Sequence, residues 1–433
     1  MYPNLYYFFK DVFNISLPFL KVINTFGFMV AISFLGCAWL LTKELQRKQG
    51  QGLLSYTETK LTVGEPANLG ELISNFIVGF LFGFKLLGLF ITPSALTDPQ
   101  AYLFSLQGNL IGGVVLGGLL AFLRWQAKNK EKLAKPEERV FKIWPSDRVG
   151  DLVIIAFIAG FAGAKIFDNL ENWDRFIEDP IGNLFSRSGL TFYGGLIVAA
   201  TAIYFYAKKH RFSYVYLCDA IAPGLMFAYG WGRVGCQVAG DGDWGILNSA
   251  YISNGDGKTM LAKPGEFDLQ LEHYQSIYAD HISSTGAVQH VAVKSFAGLP
   301  DWMFAFTYTH NVNHEGIPLQ HCTWDDYCNY LPLPVFPTPF YEIIMGLLLC
   351  VFLWRIRKKV HVAGRLFAIY LFVNGVERFF IEKIRVNTRY SIFGFHPTQA
   401  ELISSLLIIA GIFLYWYAPR LKENRIKRAE VAV

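Results

Sequence analysis

Apolar residues run through this chain in long unbroken stretches, and polar residues gather in the gaps between them. A helix that crosses a bilayer needs about 20 mainly apolar residues. Nine stretches meet that length, at about 20–42, 70–92, 105–124, 150–168, 190–207, 214–231, 338–354, 363–381 and 398–418. The pattern predicts an all-α fold: a polytopic transmembrane helix bundle of about nine spans in a single domain over 1–433. The first 16 residues are aromatic and partly polar, and the interface is their expected place. The largest gap, 246–337, alternates polar and aromatic segments and closes on Pro332, Pro334 and Pro337. It is expected to be an extracytoplasmic insertion that folds with short strands, and its length points to a function or a partner contact.

Composition agrees with this and removes other classes. The chain is 53% hydrophobic and 17% charged, which excludes an ordinary soluble enzyme. Residues 1–20 lack a basic n-region and a small-residue cleavage site, so no cleavable signal is expected. Cys37, Cys218 and Cys350 lie in apolar runs as core fillers. Cys322 and Cys328 share the long polar gap and are placed to form a disulfide if that gap is extracytoplasmic. Nothing points to a nucleic-acid partner.

The net charge of +5 matters less than its distribution. With nine spans, the basic clusters at 43–48, 124–148, 208–211, 355–359 and 420–428 fall on one side. The positive-inside rule makes that side cytoplasmic. The N-terminus is then outside and the C-terminus inside. Lys383, Arg385 and Arg389 break the rule on the outer side, where an anionic head group would compensate for them.

There is an internal repeat. Gly70-Glu-Leu-Ile opens the second span and Gly150-Asp-Leu-Val opens the fourth. Gly83 and Lys85 match Gly163 and Lys165 at the same offset, and Gly112-Gly113 falls where the fifth span carries Gly194-Gly195. The stretch 70–124 therefore reads as an extra hairpin, a degenerate copy of the fourth and fifth spans that supports the bundle or binds partners.

The candidate chemistry gathers at the outer ends of the spans. Segment 230–245 packs Arg233, Cys236, Gln237, Asp241, Asp243 and six glycines, Gly232 and Gly235 among them, into sixteen residues. An arginine at a membrane boundary is a natural phosphate binder through its planar fork of donors. The fifth span opens with Tyr193 beside Gly194 and Gly195, where a hydroxyl can face a ligand closely. Arg378, Glu382 and Arg385 are spaced to share one helix face, as a phosphate clamp would be. A purely structural ion-pair network would account for Glu382 but leave Arg378 as surplus positive charge. His396 stands before the last span, where Thr398 can cap the helix and Gln399 follows. The spacing of His310, His314, His321 and Cys322 fits no standard zinc pattern. Arg233 and Arg378 thus converge on the outer half of the bilayer, and the ligand that suits them is a phospholipid head group.

These residues also carry a resemblance. Gly232-Arg-Val-Gly resembles the Gly-Arg-x-Gly-Asn signature of prolipoprotein diacylglyceryl transferases, and Asp219-Ala-Ile-Ala-Pro resembles the segment before it. Phe192-Tyr-Gly-Gly-Leu-Ile is similar to the family's His-Gly-Gly motif, and Phe336-Pro-Thr-Pro-Phe-Tyr-Glu to its Pro-Thr-Gln-Leu-Tyr-Glu. Asn374-Gly-Val-Glu-Arg, with Glu382 and Arg385, resembles its Tyr-Gly-x-x-Arg segment. Gln399 matches its last-helix glutamine, and Thr25-Phe-Gly its first-helix Tyr-Gly.

The resemblance implies transfer of a diacylglyceryl group from phosphatidylglycerol to the lipobox cysteine thiol of a preprolipoprotein signal peptide. The products are a thioether and glycerol phosphate, and no metal or cofactor is needed. It implies a multi-pass protein of the bacterial inner membrane with its site toward the periplasm. Arg233 and Arg378 would hold the phosphate, and Tyr193 or His396 would assist the thiol. Glycines 194, 195, 232 and 235 would line the substrate with Cys236, Gln237, Asp241, Asp243, Glu382, Arg385 and Gln399.

The departures are specific. The family histidine is Tyr193, the signature asparagine is Cys236, the first-helix tyrosine is Phe26, and the glutamine of the Tyr-Glu motif is Pro339. The alternative is a non-enzymatic phospholipid-binding or transport protein on the same bundle. An intramembrane protease would need a Ser/His or metal constellation, which the sequence does not offer.

Overall fold

In the computed structural model the described residues are 1–91, 102, 105–186, 189, 191–281, 288–324, 326–387, 390, 395–421 and 423–424. Arg389, residue 92 at the end of the second expected span, and the basic cluster beyond residue 424 lie outside them. The chain is mostly helical, and a helix stands at each of the nine expected stretches. A short α1 (Leu5–Phe13) comes first, followed by α2 (Thr25–Gly50), α3 (Leu69–Ile91), α4 (Leu110–Lys130) and α5 (Val149–Glu171). Two short helices, α6 (Trp173–Glu178) and α7 (Pro180–Phe185), lead to α8 (Phe192–Lys209) and α9 (Tyr214–Ala239). After α10 (Glu266–Tyr274) come α11 (Thr338–Ile356), α12 (Arg365–Ile381) and α13 (Gln399–Tyr417).

Among the described residues, α2, α3, α4, α5, α11 and α13 are long and apolar enough to cross a membrane. Charge dilutes the others, and α12, at 17 residues, is also short. α8 ends in Lys208 and Lys209, α9 carries Asp219 and Arg233, and α12 carries Arg365, Glu377 and Arg378.

α9 is the helix that the bundle surrounds, with α2, α11 and α12 against it. Two glycines set its closest crossing. A Cβ added at Gly346 of α11 would stand 2.8 Å from the Gly230 Cα of α9, and small residues let helix backbones approach this way. Sequence-local caps start the helices. The Asn109 side chain accepts from Gly112 N at 2.7 Å to cap α4. Thr398 and Glu401 form a reciprocal capping box on α13, as the position of Thr398 suggested.

The two hairpins of the repeat are built alike. In α5–α8, a Cβ at Gly163 would meet the Gly194 carbonyl oxygen at 2.6 Å, and in α3–α4 Gly83 faces the Gly112 carbonyl in the same way. Lys85 Nζ donates to the carbonyls of Tyr102 (3.0 Å) and Gln107 (2.8 Å) in its connecting loop. Lys165 Nζ donates to Ser186 Oγ (2.7 Å) and the Gly189 carbonyl (3.3 Å) in its own. At the other ends, Glu71 pairs with Arg124 and Asp151 accepts from Tyr206, at offsets that follow the glycines.

The α3–α4 hairpin rides on a two-stranded antiparallel ribbon, β1 (Thr57–Val63) with β2 (Glu137–Ile143). The sequence reading missed this ribbon and assigned 124–148 simply to a basic loop.

Segment 246–337 has its own core. Leu247, Tyr278, Tyr308, Leu331, Leu333 and Val335 are buried together with Trp244. Around them run β3 (Leu247–Asn248) parallel to β6 (His290–Val291), β4 (Tyr251–Ser253) antiparallel to β5 (Thr259–Leu261), and β7 (Ile317–Pro318) antiparallel to β8 (Asn329–Tyr330). The Tyr278 hydroxyl ties the layers, accepting from Leu333 N at 2.8 Å and donating to its carbonyl at 3.0 Å. Cys322 and Cys328 are joined as a disulfide. Trp324, inside that loop, stacks between Tyr7 of α1 (4.2 Å) and His310 (3.9 Å). His310 is thus a packing residue, and Cys322 is spent on the bridge.

Candidate active site

The site begins with a helix that runs further than its hydropathy. The expected span stops at 231, but α9 continues to Ala239, so Arg233, Gly235, Cys236 and Gln237 lie within the helix rather than beyond its end. Helical spacing then puts Tyr229, Arg233, Cys236 and Gln237 on one face. Gly240 ends the helix at φ +67°, with its N–H on the Cys236 carbonyl at 2.9 Å. The chain turns there and is pinned between two other elements. Gly245 N donates to the Phe336 carbonyl, and Ile246 N to the Ile384 carbonyl, both at 2.9 Å. Thr338 Oγ1 donates to the Asp243 carbonyl at 2.8 Å. The ends of α9 and α12 and the start of α11 are therefore one junction.

Three arginines and three carboxylates fill it. Arg233 Nε meets Glu342 Oε2 at 2.7 Å, and Arg378 Nη1 meets Glu342 Oε1 at 3.0 Å. Arg385 Nη1 reaches the same Oε1 at 3.4 Å. Asp243 pairs with both Arg233 and Arg385. Glu382 pairs with Arg378 at 3.3 Å and accepts from Asn387 at 2.6 Å. The Glu342 side chain is fully buried, whereas those of Arg233 and Arg378 keep 18% and 21% of their surface. The shared acid lies beneath the arginines, and Arg233 and Arg378 retain an open side. An arginine has five donors in a planar fork, so each can hold the acid and still present N–H groups to an anion.

Glu342 closes the Phe336-Pro-Thr-Pro-Phe-Tyr-Glu motif, yet sequence reasoning gave it no role of its own. It removes the surplus charge that the sequence left at Arg378. The signal was present: Glu342 is the one acid in the apolar run 338–354, and an intramembrane acid is a site candidate by default. Tyr229 was given no role either. Its hydroxyl donates to Glu377 Oε1 at 3.1 Å, and its ring lies 5.7 Å from the Arg233 guanidinium.

The remaining candidates divide. Tyr193 stands in the field of Arg378 and Glu382. Cys236 Sγ is 3.6 Å from Arg233 and 3.7 Å from Asp243. Gln237 accepts from the buried Tyr308 hydroxyl at 2.9 Å, which ties the site to the core of 246–337. Gly232 faces open space, while Gly235 packs on Phe26 and Met29 of α2. The space beside Gly194 is filled by Phe167 and that beside Gly195 by Gly160 and Ala164, so both are helix-crossing residues. His396 and Gln399 are exposed at the start of α13. Among the described residues, no hydrogen bond or ion pair joins either to the arginines. Cys236, Asp241 and Asp243 bring a thiol and two carboxylates within 4.8 Å. Two guanidiniums already hold Asp243, which makes this trio a part of the arginine network. Two members of the basic group expected on the outer side are paired with protein acids: Lys383 with Glu401, and Arg385 with Asp243 and Glu342.

The family model described as prolipoprotein diacylglyceryl transferase matches residues 109–417. The match takes in every residue of the arginine junction. It leaves out α2, and with it the Thr25-Phe-Gly segment, but includes α4. A phosphatidylglycerol–prolipoprotein diacylglyceryl transferase of Clostridium tetani is 22% identical over 318 residues, covering 72% of this chain and 94% of the relative. One of Dehalococcoides mccartyi is 25% identical over 281 residues, covering 65% and 81%.

Proposed function

The chain belongs to the prolipoprotein diacylglyceryl transferase family, and from that premise we propose that it transfers a diacylglyceryl group from phosphatidylglycerol to the lipobox cysteine thiol of a preprolipoprotein. The observation that carries this reading is the meeting of Arg233 and Arg378, from two helices, on one buried acid. Separate ion pairs would have left no common place for a ligand.

In the reaction, the thiol sulfur bonds to the glycerol carbon that bears the phosphate oxygen. The carbon–oxygen bond breaks, and its electron pair leaves with glycerol phosphate. The phosphate thereby gains a negative charge. Arg233 and Arg378 are placed to receive that charge, and donors fixed in advance at such a point are worth most where water is scarce. Glu342 holds the two guanidiniums at a set separation. Tyr193, in the field of Arg378 and Glu382, relays the thiol proton: its hydroxyl takes that proton as it gives its own to solvent. Among the described residues, no hydrogen bond or ion pair joins His396 to the arginines.

The same reading orders the rest of the chain. Nine helices span the inner membrane with the N-terminus outside, and the arginine junction faces the periplasm. Segment 246–337 is a periplasmic insertion over the junction. The α3–α4 hairpin is a duplicate of α5–α8.

The test is complementation of a bacterium depleted of its own transferase. Wild type should restore growth and lipidated prolipoprotein, and Arg233→Ala and Arg378→Ala should not. Tyr193→Phe should be severely impaired. A well-inserted wild type that lipidates nothing, with phosphatidylglycerol and a native prolipoprotein supplied, overturns the proposal in favour of a lipid-binding protein.

A further inference from the structure

The other end of α9 holds a second polar cavity, about 310 Å³ in volume. That is within the range of small-ligand sites, about 300–1,000 Å³. Its walls include Arg47, Lys48 and Gln51 from the end of α2, Tyr216 and Asp219 from the start of α9, and His361 from the turn before α12. Asp219 and Arg233 are fourteen residues apart on one helix, so this cavity and the arginine junction are separated by about 21 Å along its axis.

The charges in the cavity are unevenly committed. Asp219 is turned into the protein, where it accepts from Gly364 N at 2.8 Å and Phe367 N at 2.9 Å and holds the α11–α12 turn against α9. Beneath the wall, fully buried Glu44 takes two donors from Arg47, at 2.6 and 2.9 Å, and Arg357 Nε at 2.8 Å. Lys48 Nζ is 4.0 Å from the same acid and 5.2 Å from the Tyr216 ring centre. Three cations, Arg47, Lys48 and Arg357, thus face two carboxylates: Glu44 takes Arg47 and Arg357 and lies 4.0 Å from Lys48, and Asp219, bound to two backbone N–H groups, also lies in the field of Lys48. Arg47 Nη1 donates to Gln51 Oε1 at 3.1 Å, so Gln51 positions Arg47 at the exposed end of the wall. Basic pockets between helices at a membrane boundary suit anionic head groups, and an arginine–lysine pair fits phosphate oxygens.

We propose that this cavity is a second phosphate-binding site, distinct from the arginine junction and at the opposite end of the bundle. Its ligand is a phosphate group, carried by an anionic lipid of the leaflet at that end or free in solution. The site does not depend on the transferase reading.

The test uses the full-length protein in nanodiscs and an anionic phospholipid whose phosphodiester head group carries a photoreactive label. Cross-linked peptides are mapped by mass spectrometry, which separates this cavity from the arginine junction. Label is expected on residues 47–53 and 360–363. Gln51→Glu keeps an acceptor for Arg47 but adds a negative charge at an exposed position, and should lower that label roughly fivefold. Lys48→Gln should lower it similarly. Label near Arg233 should be unchanged in both. Displacement by unlabelled phosphatidic acid alone identifies a lipid site, and displacement by inorganic phosphate as well identifies a site for the free anion. Absence of label at 47–53 and 360–363 overturns the proposal, as does label there that Gln51→Glu leaves unchanged.

Discussion

Arg233 and Arg378 share Glu342: one guanidinium on each carboxylate oxygen, at 2.7 and 3.0 Å. Removing one partner of a buried charge cluster costs about 3–5 kcal/mol, because the remaining charges lose their compensation. Glu342→Gln keeps the shape and deletes the charge. It should leave three arginines facing each other, lower the thermal midpoint of the purified protein, and reduce transfer by more than it raises the KM for phosphatidylglycerol. An unchanged kcat would mean that Glu342 does not set the arginine geometry.

The planar forks of Arg233 and Arg378 matter beyond their charge. Lysine supplies a point charge without two parallel donors. Arg378→Lys should insert and fold, because Glu342 and Glu382 remain to receive a cation, yet lose about 10²–10³-fold in transfer rate, the usual cost of removing one preorganised donor. Arg233→Lys should behave alike. Single-turnover transfer from labelled phosphatidylglycerol measures both. Rates within a factor of about two of wild type would show that charge alone suffices.

How legible the site was follows from where its information lies. The helices were readable because a bilayer demands long apolar runs, and Arg233, Arg378, Glu382 and Arg385 were readable because charge is rare in such runs. The expected span stopped at 231 because Arg233 and the glycines at 230, 232 and 235 interrupt the apolar run, whereas packing on α11 and α2 keeps that stretch helical. The pairing of Arg378 with Glu342 joins residues 36 positions apart, and no local pattern carries that. The β1–β2 ribbon was invisible for another reason: apart from Thr57, Thr59, Val63 and Ile143 both strands are exposed, so neither shows the alternation that betrays a half-buried strand. Gly194 and Gly195 looked like ligand-facing residues, but the repeat itself held the better clue, since Gly112 and Gly113 serve the same crossing without Tyr193 beside them.

That crossing separates the two hairpins experimentally. At Gly163 an added Cβ would stand 2.6 Å from the backbone oxygen of Gly194, which cannot yield without moving α8. Gly163→Val should therefore displace Tyr193, the residue before Gly194, and a misplacement of about 1 Å can cost about 10²-fold in rate. Gly83→Val makes the same clash in α3–α4, far along the chain from the arginine junction. It should part that hairpin and leave transfer near wild type in a detergent assay. Equal loss in both variants would show that α3–α4 takes part in the chemistry.

The disulfide loop offers a pH-dependent readout. His310 stacks on Trp324, and its Nδ1 lies 2.6 Å from the Tyr327 carbonyl, which can only accept, so Nδ1 carries the hydrogen. Burial holds the His310 pKa below the ordinary value of 6.5, and the hydrogen bond to Tyr327 only partly offsets this. The sign follows by linkage. As pH falls through about 6.5 the unfolded chain takes up a proton that the native imidazole still refuses, so native stability is full above that pH and declines below it. The decline stops once the native group protonates too. Limited proteolysis of segment 246–337 should thus accelerate as pH drops from about 7.5 to about 5.5, with a protease whose own pH dependence is corrected on a peptide. His310→Gln removes the titrating group; it should be cleaved faster than wild type at the upper pH, having lost the stack on Trp324, and show a flatter pH profile. A wild-type profile as flat as the variant's would mean that His310 does not couple protonation to the packing of Trp324 between it and Tyr7.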